Sequence, residues 1–328
     1  MHPELGVTFA PLMALGPPTA VDVARRASEL GYRSFWTAEV TGPEAFSLLG
    51  AVAASSPGLG LGTGVLALQL RTPPLLAMAA ATLQALAPDQ EVLIGVGISS
   101  PVVAGRWHGA TYGDRPLART REFVTLLRAC LSGENVDFDG EFYKISRFRL
   151  GVRLGERRPK IVLGALNEGM LRLGGEIADG VLLNYLPASH VPWSVDRIRE
   201  GGDADIYAYV HVGVCDRQAG MELARRDLFS YATVDSYARN FTRAGYGESV
   251  EEVRRLHRSG DRAGALAAVS EDFVDGIDVM GDADTVTSTV RAYIDAGVQH
   301  PVIFPLPWGP DRMAVVQQTL EAAAAAVA

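Results

Sequence analysis

"GLGLGTGVLALQLRTPPLLAMAAATLQAL", residues 58–86, decides how the rest of the chain is read. Glycines stand at 58, 60, 62 and 64, and an apolar, helix-like stretch follows. A glycine-rich segment entering a helix raises the question of a nucleotide loop, but a dinucleotide fingerprint needs glycines at relative positions 1, 3 and 6. Counted from Gly58 the sixth position is Thr63, and counted from Gly60 it is Val65, so neither register fits. Alternate residues of a strand point the same way. The run therefore reads as a strand (Leu59–Leu66) bare on one face, followed by a helix that begins after the Pro73–Pro74 pair, proline being at home in a first turn. A strand with a glycine face implies that something approaches it closely.

The same strand–helix rhythm extends in both directions. Upstream lie strand-like Leu5–Pro11, an amphipathic helix over Ala20–Gly31, strand-like Arg33–Glu39 and a helix over Glu44–Ser55. Downstream come strand-like Glu91–Gly97, a helix at Leu117–Leu131, then "PKIVLGA", "NEGMLRLGGEIA", "GVLLNY", "SHVPWSVDRIRE" and the long strand "DIYAYVHVGVC". A largely helical region at Gln218–Leu266 precedes a helix at Asp284–Ala296, the strand "PVIFPLP" and a terminal helix. Alternation of this kind implies a parallel sheet. Eight units without a linker-like break favour one α/β domain over residues 1–328, a closed (β/α)8 TIM barrel with a helical insertion at about 216–280 near its mouth. An open doubly wound sheet is the alternative arrangement of the same pattern.

Composition narrows the function classes. With 48% hydrophobic and 21% charged residues the chain can bury a large core, and disorder is excluded as its general state. The net charge of −8, without a basic stripe interleaved with aromatics, argues against nucleic acid as a partner. No apolar run suits a membrane span, and "MHPELGVTFAPLMALG" lacks the basic start of a signal peptide. Two lone cysteines, Cys130 and Cys215, fit a reduced cytoplasmic protein. In a barrel the chemistry gathers at the C-terminal strand ends. Here those ends are small and apolar, with no metal-binding cluster and no nucleophile elbow, so a cofactor is expected to carry the chemistry of a small-molecule substrate.

The segments "SFWTAEVTGPEAFSLLGAVAA", "LGLGTGVLALQLRTPPLLAMAAATLQAL", "VLIGVGISSP", "RPLARTREFVTLLRACLSGENVDFDGEFY" and "IVLGALNEGMLRLGGEIADGVLLN" together resemble the bacterial luciferase-like flavin/deazaflavin oxidoreductases. More narrowly they are similar to the branch that uses coenzyme F420, a deazaflavin hydride carrier, and that includes methylene-tetrahydromethanopterin reductase. The resemblance implies the barrel fold, a homodimer, and a reductase that passes hydride from reduced F420 to a small organic substrate. An FMN-dependent monooxygenase and a non-catalytic member are the alternatives. It also implies a non-prolyl cis peptide at Gly64–Val65, forming a shelf against the ring, with the strand's glycines clearing space for that ring.

By the same resemblance, the coenzyme phosphate falls at Leu166, Asn167, Glu168, Gly169 and Met170, largely on backbone N–H groups of a helix N-terminus, with Asn184 as a side-chain donor. Glu168 is expected to point outward, since a carboxylate there stabilises the helix but repels an anion. Glu39 is expected near the ring, as binder or catalytic group, and Ser99 and Ser100 near the pyrimidine edge or the substrate. Glu39, Tyr185 or water would supply any proton, and Ser100 joins Glu39 and Tyr185 as a candidate catalytic residue. In the sugar-phosphate dehydrogenase branch a histidine and a glutamate stand where this chain has Val40 and Ser100, which removes the base that alcohol oxidation requires. Reduction of an electrophilic double bond asks less, because positioning carries most of the catalysis. His211 is expected in the core, and Trp107 and His108 beside the substrate cleft.

Overall fold

A computed structural model describes residues 3–328. Strands and helices alternate as β1 (Gly6–Thr8), α1 (Pro17–Glu29), β2 (Ser34–Thr37), α2 (Ala45–Ser55), β3 (Gly60–Thr63), α3 (Pro73–Leu86), β4 (Val92–Gly97) and α4 (Pro116–Cys130). They continue with β5 (Lys160–Gly164), α5 (Glu168–Ile177), β6 (Gly180–Leu183), α6 (Val191–Arg199) and β7 (Asp205–Val214). Five helices follow: α7 (Arg217–Ala232), α8 (Asp235–Phe241), α9 (Gly247–Arg258), α10 (Arg262–Ala267) and α11 (Glu271–Ile277). The chain ends with α12 (Ala283–Asp295), β8 (His300–Pro305) and α13 (Arg312–Ala324).

Every neighbouring pair from β1 to β8 is parallel, and β8 pairs with β1, so the sheet closes on itself as an eight-stranded barrel. The period of two along each strand sorts side chains into two cores. Phe35, Leu61, Ile94, Ile161, Val181, Val210 and Ile303 face outward into the layer under the helices. Trp36, Leu93, Val162, Leu182, Tyr207, Tyr209 and Val302 fill the interior. The ring of helices is tied shut where Arg26 of α1 meets Glu321 of α13 at 2.7 Å, and where Tyr32 donates to the Leu320 carbonyl at 2.9 Å.

The glycine face of β3 points into this interior, but most of it serves the barrel itself. A Cβ on Gly62 would lie 2.3 Å from the Trp36 ring, so the missing side chain is the space that Trp36 occupies. A Cβ on Gly64 would lie 2.0 Å from the Tyr209 hydroxyl. The expectation that this whole face clears room for a ligand is corrected: indole and phenol fill the lower part, and only Gly64–Val65 reaches the mouth.

Above Gly62 the ladder slips. Gly62 pairs with Leu93, but pairing resumes with Leu66 opposite Val96, one residue out of step. Such an insertion is a bulge. The Thr63 hydroxyl bridges it, donating to the Gly95 carbonyl at 2.9 Å and accepting from the Gly95 N–H at 2.8 Å. Gly95 is fixed as glycine because a Cβ there would meet the Thr63 carbonyl oxygen at 1.7 Å.

Two small elements were invisible in the sequence pattern. An antiparallel hairpin, Val136–Asp139 with Lys144–Phe148, stands between α4 and β5 with most of its side chains exposed or half-buried. A three-residue strand, Val279–Gly281, pairs beside the upper half of β7. Three residues are too few to show a period. Helices α7 to α11 form a separate apolar core around Leu228, Phe241, Val253 and Phe273, which also takes in Tyr185 and Leu306 from the ends of β6 and β8.

Candidate active site

A cavity of about 380 Å³ opens at the C-terminal ends of the strands. Gly64 and Val65 form its floor, Ser99, Ala165 and Asn184 its sides, Leu117 and Met170 one wall, and Tyr237 and Arg239 of α8 reach over it. The Gly64–Val65 peptide is cis, as the resemblance implies. Its carbonyl accepts a 2.7 Å hydrogen bond from Tyr209, whose hydroxyl lies 3.3 Å from Thr8 Oγ1. The Val65 side chain lies where β4 and β5 have glycines: a Cβ on Gly97 would approach it to 2.9 Å and one on Gly164 to 3.0 Å. Residues from three strands thus hold one isopropyl group as a flat apolar step.

Next to this step α5 begins. Its N-cap, Asn167, does not cap by side chain; the Asn167 amide instead donates to the Ser236 carbonyl at 3.0 Å. The N–H groups of Met170 and Leu171 bond to the Asn167 carbonyl, which leaves those of Glu168 and Gly169 without a partner among the described residues. Unpaired N–H groups and the helix dipole together favour an anion there. Arg239 faces the same cavity, and among the described residues no carboxylate pairs with it. Arg243 lies over the Trp193 ring at 4.4 Å and reaches Asn167 Oδ1 at 3.4 Å. Sequence reading missed both arginines, and their signal, the basic spacing in "RNFTRAGY", lies far along the chain from the strand ends. Glu168 turns away to Arg172 at 2.8 Å, in line with the sequence expectation.

Gly64, Val65, Ser99, Leu166, Asn167, Gly169, Met170 and Asn184 therefore meet in one cavity. Glu39, Ser100 and Tyr185 do not, and the expectation that they stand together at the site is corrected. Both Glu39 oxygens are engaged, by Arg71 at 2.6 and 3.2 Å and by the Ala45 N–H at 3.1 Å. Arg71 also holds Glu44, the cap of α2, at 2.5 Å. Ser100 caps the turn Pro101–Trp107 by accepting from the Val103 N–H. Tyr185 is buried and donates to Asp227 at 2.9 Å, and burial raises its phenol well above the ordinary range. Trp107 and His108 are exposed outside the cavity, with His108 Nε2 at 2.5 Å from the Val40 carbonyl. His211 is a core residue, as the sequence suggested.

Among the described residues, the cavity lining holds no carboxylate and no histidine. Its ionisable groups are Arg239 and three tyrosines, Tyr112, Tyr209 and Tyr237, each with its phenol raised by burial. Such a site can seat a flat ring on Val65 and an anionic arm at α5, but it offers no nucleophile and no ready base.

A closed parallel barrel with this cavity at its mouth is a scaffold on which a ligand binds at the C-terminal strand ends. The chain belongs to the luciferase-like monooxygenase family, whose profile matches residues 9–300. It is 28% identical to a Mycobacterium tuberculosis protein provisionally named a coenzyme F420-dependent oxidoreductase, over 92% of this chain and 94% of that one. It is likewise 28% identical to the 5,10-methylenetetrahydromethanopterin reductase of Archaeoglobus fulgidus, over 89% and 90%. Its fold is similar to that of the coenzyme F420-dependent tetrahydromethanopterin reductase of Methanopyrus kandleri, with a TM-score of 0.77, 21% identity and 99% and 98% of the two chains covered. It is also similar to the oxygenating constituent of 3,6-diketocamphane monooxygenase from Pseudomonas putida in complex with FMN, with a TM-score of 0.69, 18% identity and 100% and 98% coverage. Among the described residues, no helix is long and apolar enough to cross a membrane.

Proposed function

We propose that this protein is a coenzyme F420-dependent oxidoreductase that reduces a small organic substrate. The observation that carries the reading is one cavity joining an apolar step, Val65, to an anion cradle made of the free α5 N–H groups and Arg239. The cavity fits the coenzyme on two physical counts. Gly97 and Gly164 leave no side chain between the strands and Val65, so the step lies flat, and the cradle has donors left over for a phosphate. When bound, F420 supplies a two-electron hydride carrier.

The chain's own contribution is placement. Val65 would be the apolar step that seats the ring, and fixing the approach distance is where a site of this kind gains rate. The Glu168 and Gly169 N–H groups and Arg239 would hold the phosphate, while Leu117, Met170 and Tyr237 would screen the cavity from water. Glu39 and Tyr185 are committed elsewhere, so solvent or the substrate supplies the proton that follows hydride. The names of the relatives that align over most of the chain support F420, and the FMN-bearing structural neighbour supports the alternative, a monooxygenase using the same cradle for the FMN phosphate. Fluorescence titration of the purified protein with F420 and with FMN separates them. Saturable binding of F420 is the expected result, and binding of FMN alone overturns the proposal.

A further inference from the structure

Behind the cavity wall lies a buried polar chain that the proposed chemistry does not use. It starts at Asn184, at the end of β6. Asn184 Oδ1 lies 2.9 Å from the Tyr185 backbone N–H. A backbone N–H can only donate, so this atom is the amide oxygen and not the nitrogen. The same oxygen lies 2.9 Å from His211 Nε2, which must therefore carry a hydrogen. In a neutral imidazole one nitrogen donates and the other accepts. His211 Nδ1 is then an acceptor, and it faces Asp278 Oδ1 at 2.9 Å. With the imidazole neutral, the proton between them comes from the Asp278 carboxyl. Burial acts in the same sense on both groups, raising the Asp278 carboxyl well above the carboxylate range and lowering the His211 imidazole to about 4.

The surroundings hold this chain rigid. His211 is sandwiched between Phe304, stacked at 4.0 Å, and the edge of Tyr185 at 4.4 Å. Asn240 of α8 donates to the Tyr185 carbonyl at 2.8 Å, fixing a residue whose φ of 50° is unusual for a tyrosine. Asp227 and Tyr231 of α7 and Tyr237 of α8 are the other ionisable groups packed around Tyr185. With both lone pairs of Oδ1 taken, Asn184 has only its Nδ2 hydrogens left for the cavity that it lines.

We propose that Asp278 and His211 are positioning residues that lock Asn184 as an obligate hydrogen-bond donor, so that the cavity selects an electron-rich, anionic group at that point. An unlocked asparagine can turn its amide over and present oxygen instead. The lock removes that choice and adds Asn184 to the donors of α5 and to Arg239. Only the ligand's identity in this inference rests on the F420 reading; the direction of the hydrogen-bond chain does not.

The test has two arms. In the first, nitrogen-15 NMR of histidine-labelled, ligand-free protein, with the His211 signals assigned by their loss in His211→Gln, reads the tautomer directly. Hydrogen on Nε2 with Nδ1 accepting is expected at neutral pH, and the opposite tautomer overturns the proposal whatever the cavity binds. In the second, F420 is titrated into the full chain. His211→Phe, which keeps the stacking but cannot donate, and Asn184→Ala should each weaken binding about 10- to 100-fold, the range for a hydrogen bond to a charged group. The double variant should be no weaker than Asn184→Ala, because His211 acts only through Asn184. Losses that multiply refute the coupling. Asp278→Asn, whose amide still donates to Nδ1, should restore most of the affinity lost in Asp278→Leu; equal losses in the two refute the lock. If wild-type protein binds FMN instead, the same cycle is run with FMN. If it binds neither, the F420 reading fails and the tautomer still decides this inference.

Discussion

Replacing Asp227 by asparagine should stabilise the protein at neutral and alkaline pH, and by an amount that grows with pH. Asp227 is partly covered as a residue, but its carboxyl lies against Tyr185 and Tyr231 and near Asp278. Desolvation by burial is the main cause that pushes it up to about 7 from 3.8. An unfolded chain loses this proton near 3.8, whereas the folded protein keeps it to about 7. Between those values the folded state binds the extra proton, so stability is fullest below about pH 4, falls as pH rises to about 7 and is level above. At roughly 1.36 kcal/mol per unit the full window amounts to about 4 kcal/mol. Partial solvent access reduces this, giving about 2–4 kcal/mol at pH 8. Asp227→Asn keeps an acceptor for the Tyr185 hydroxyl and abolishes the titration. Urea unfolding of both proteins at pH 4, 5, 6, 7 and 8, followed by circular dichroism, reads the difference and cancels every other group. A stability gap that does not change with pH refutes the reasoning, as does a variant less stable at pH 8 than at pH 5 relative to wild type.

Arg239→Met should weaken F420 about 10- to 100-fold, since Arg239 is the cavity's one cation and has no carboxylate partner among the described residues, and should flatten the salt dependence of binding measured by the same titration. Gly97→Ala brings a methyl to 2.9 Å from Val65, which must move toward the cavity; cofactor affinity should fall several-fold, on the order of 1 kcal/mol. Glu39→Gln should lower stability by about 1–3 kcal/mol in a thermal or urea melt while leaving the cofactor Kd within about twofold, because Glu39 serves Arg71 and α2; a large loss of turnover with unchanged stability would restore its catalytic role. Gly95→Ala, with its methyl 1.7 Å from the Thr63 carbonyl oxygen, should yield no soluble folded protein, and a normal melt would show that the bulge can rearrange.

The barrel was legible because its strands and helices differ in period and follow one another without a break. Element ends fell close to their sequence signals, as with α3, which starts at the Pro73–Pro74 pair behind an exposed Thr72 cap. Ser99, Asn167 and Asn184 were legible for the same reason, since they sit where strands stop, whereas Gly64 and Val65 were placed by the family resemblance because a bulge breaks the period. What failed was partnership. A carboxylate at a strand end looks available, yet nothing near Glu39 in sequence reveals that Arg71 will take both its oxygens. Likewise Gly62 is explained only by Trp36 on the adjoining strand, across a register that sequence alone leaves open. Arg239 and Arg243 come from helices beyond β7, whose course over the mouth is set by tertiary packing and carries no periodic signature.

The apolar core shared between those helices and the barrel has a mechanical consequence. Tyr185 and Leu306 rise from the ends of β6 and β8 and are buried among Leu228, Phe241 and Phe273, so barrel and insertion are keyed together from below. Swinging the insertion aside would expose that entire joint at once. The joint therefore acts as a keystone, in which the insertion and the barrel mouth hold each other in place.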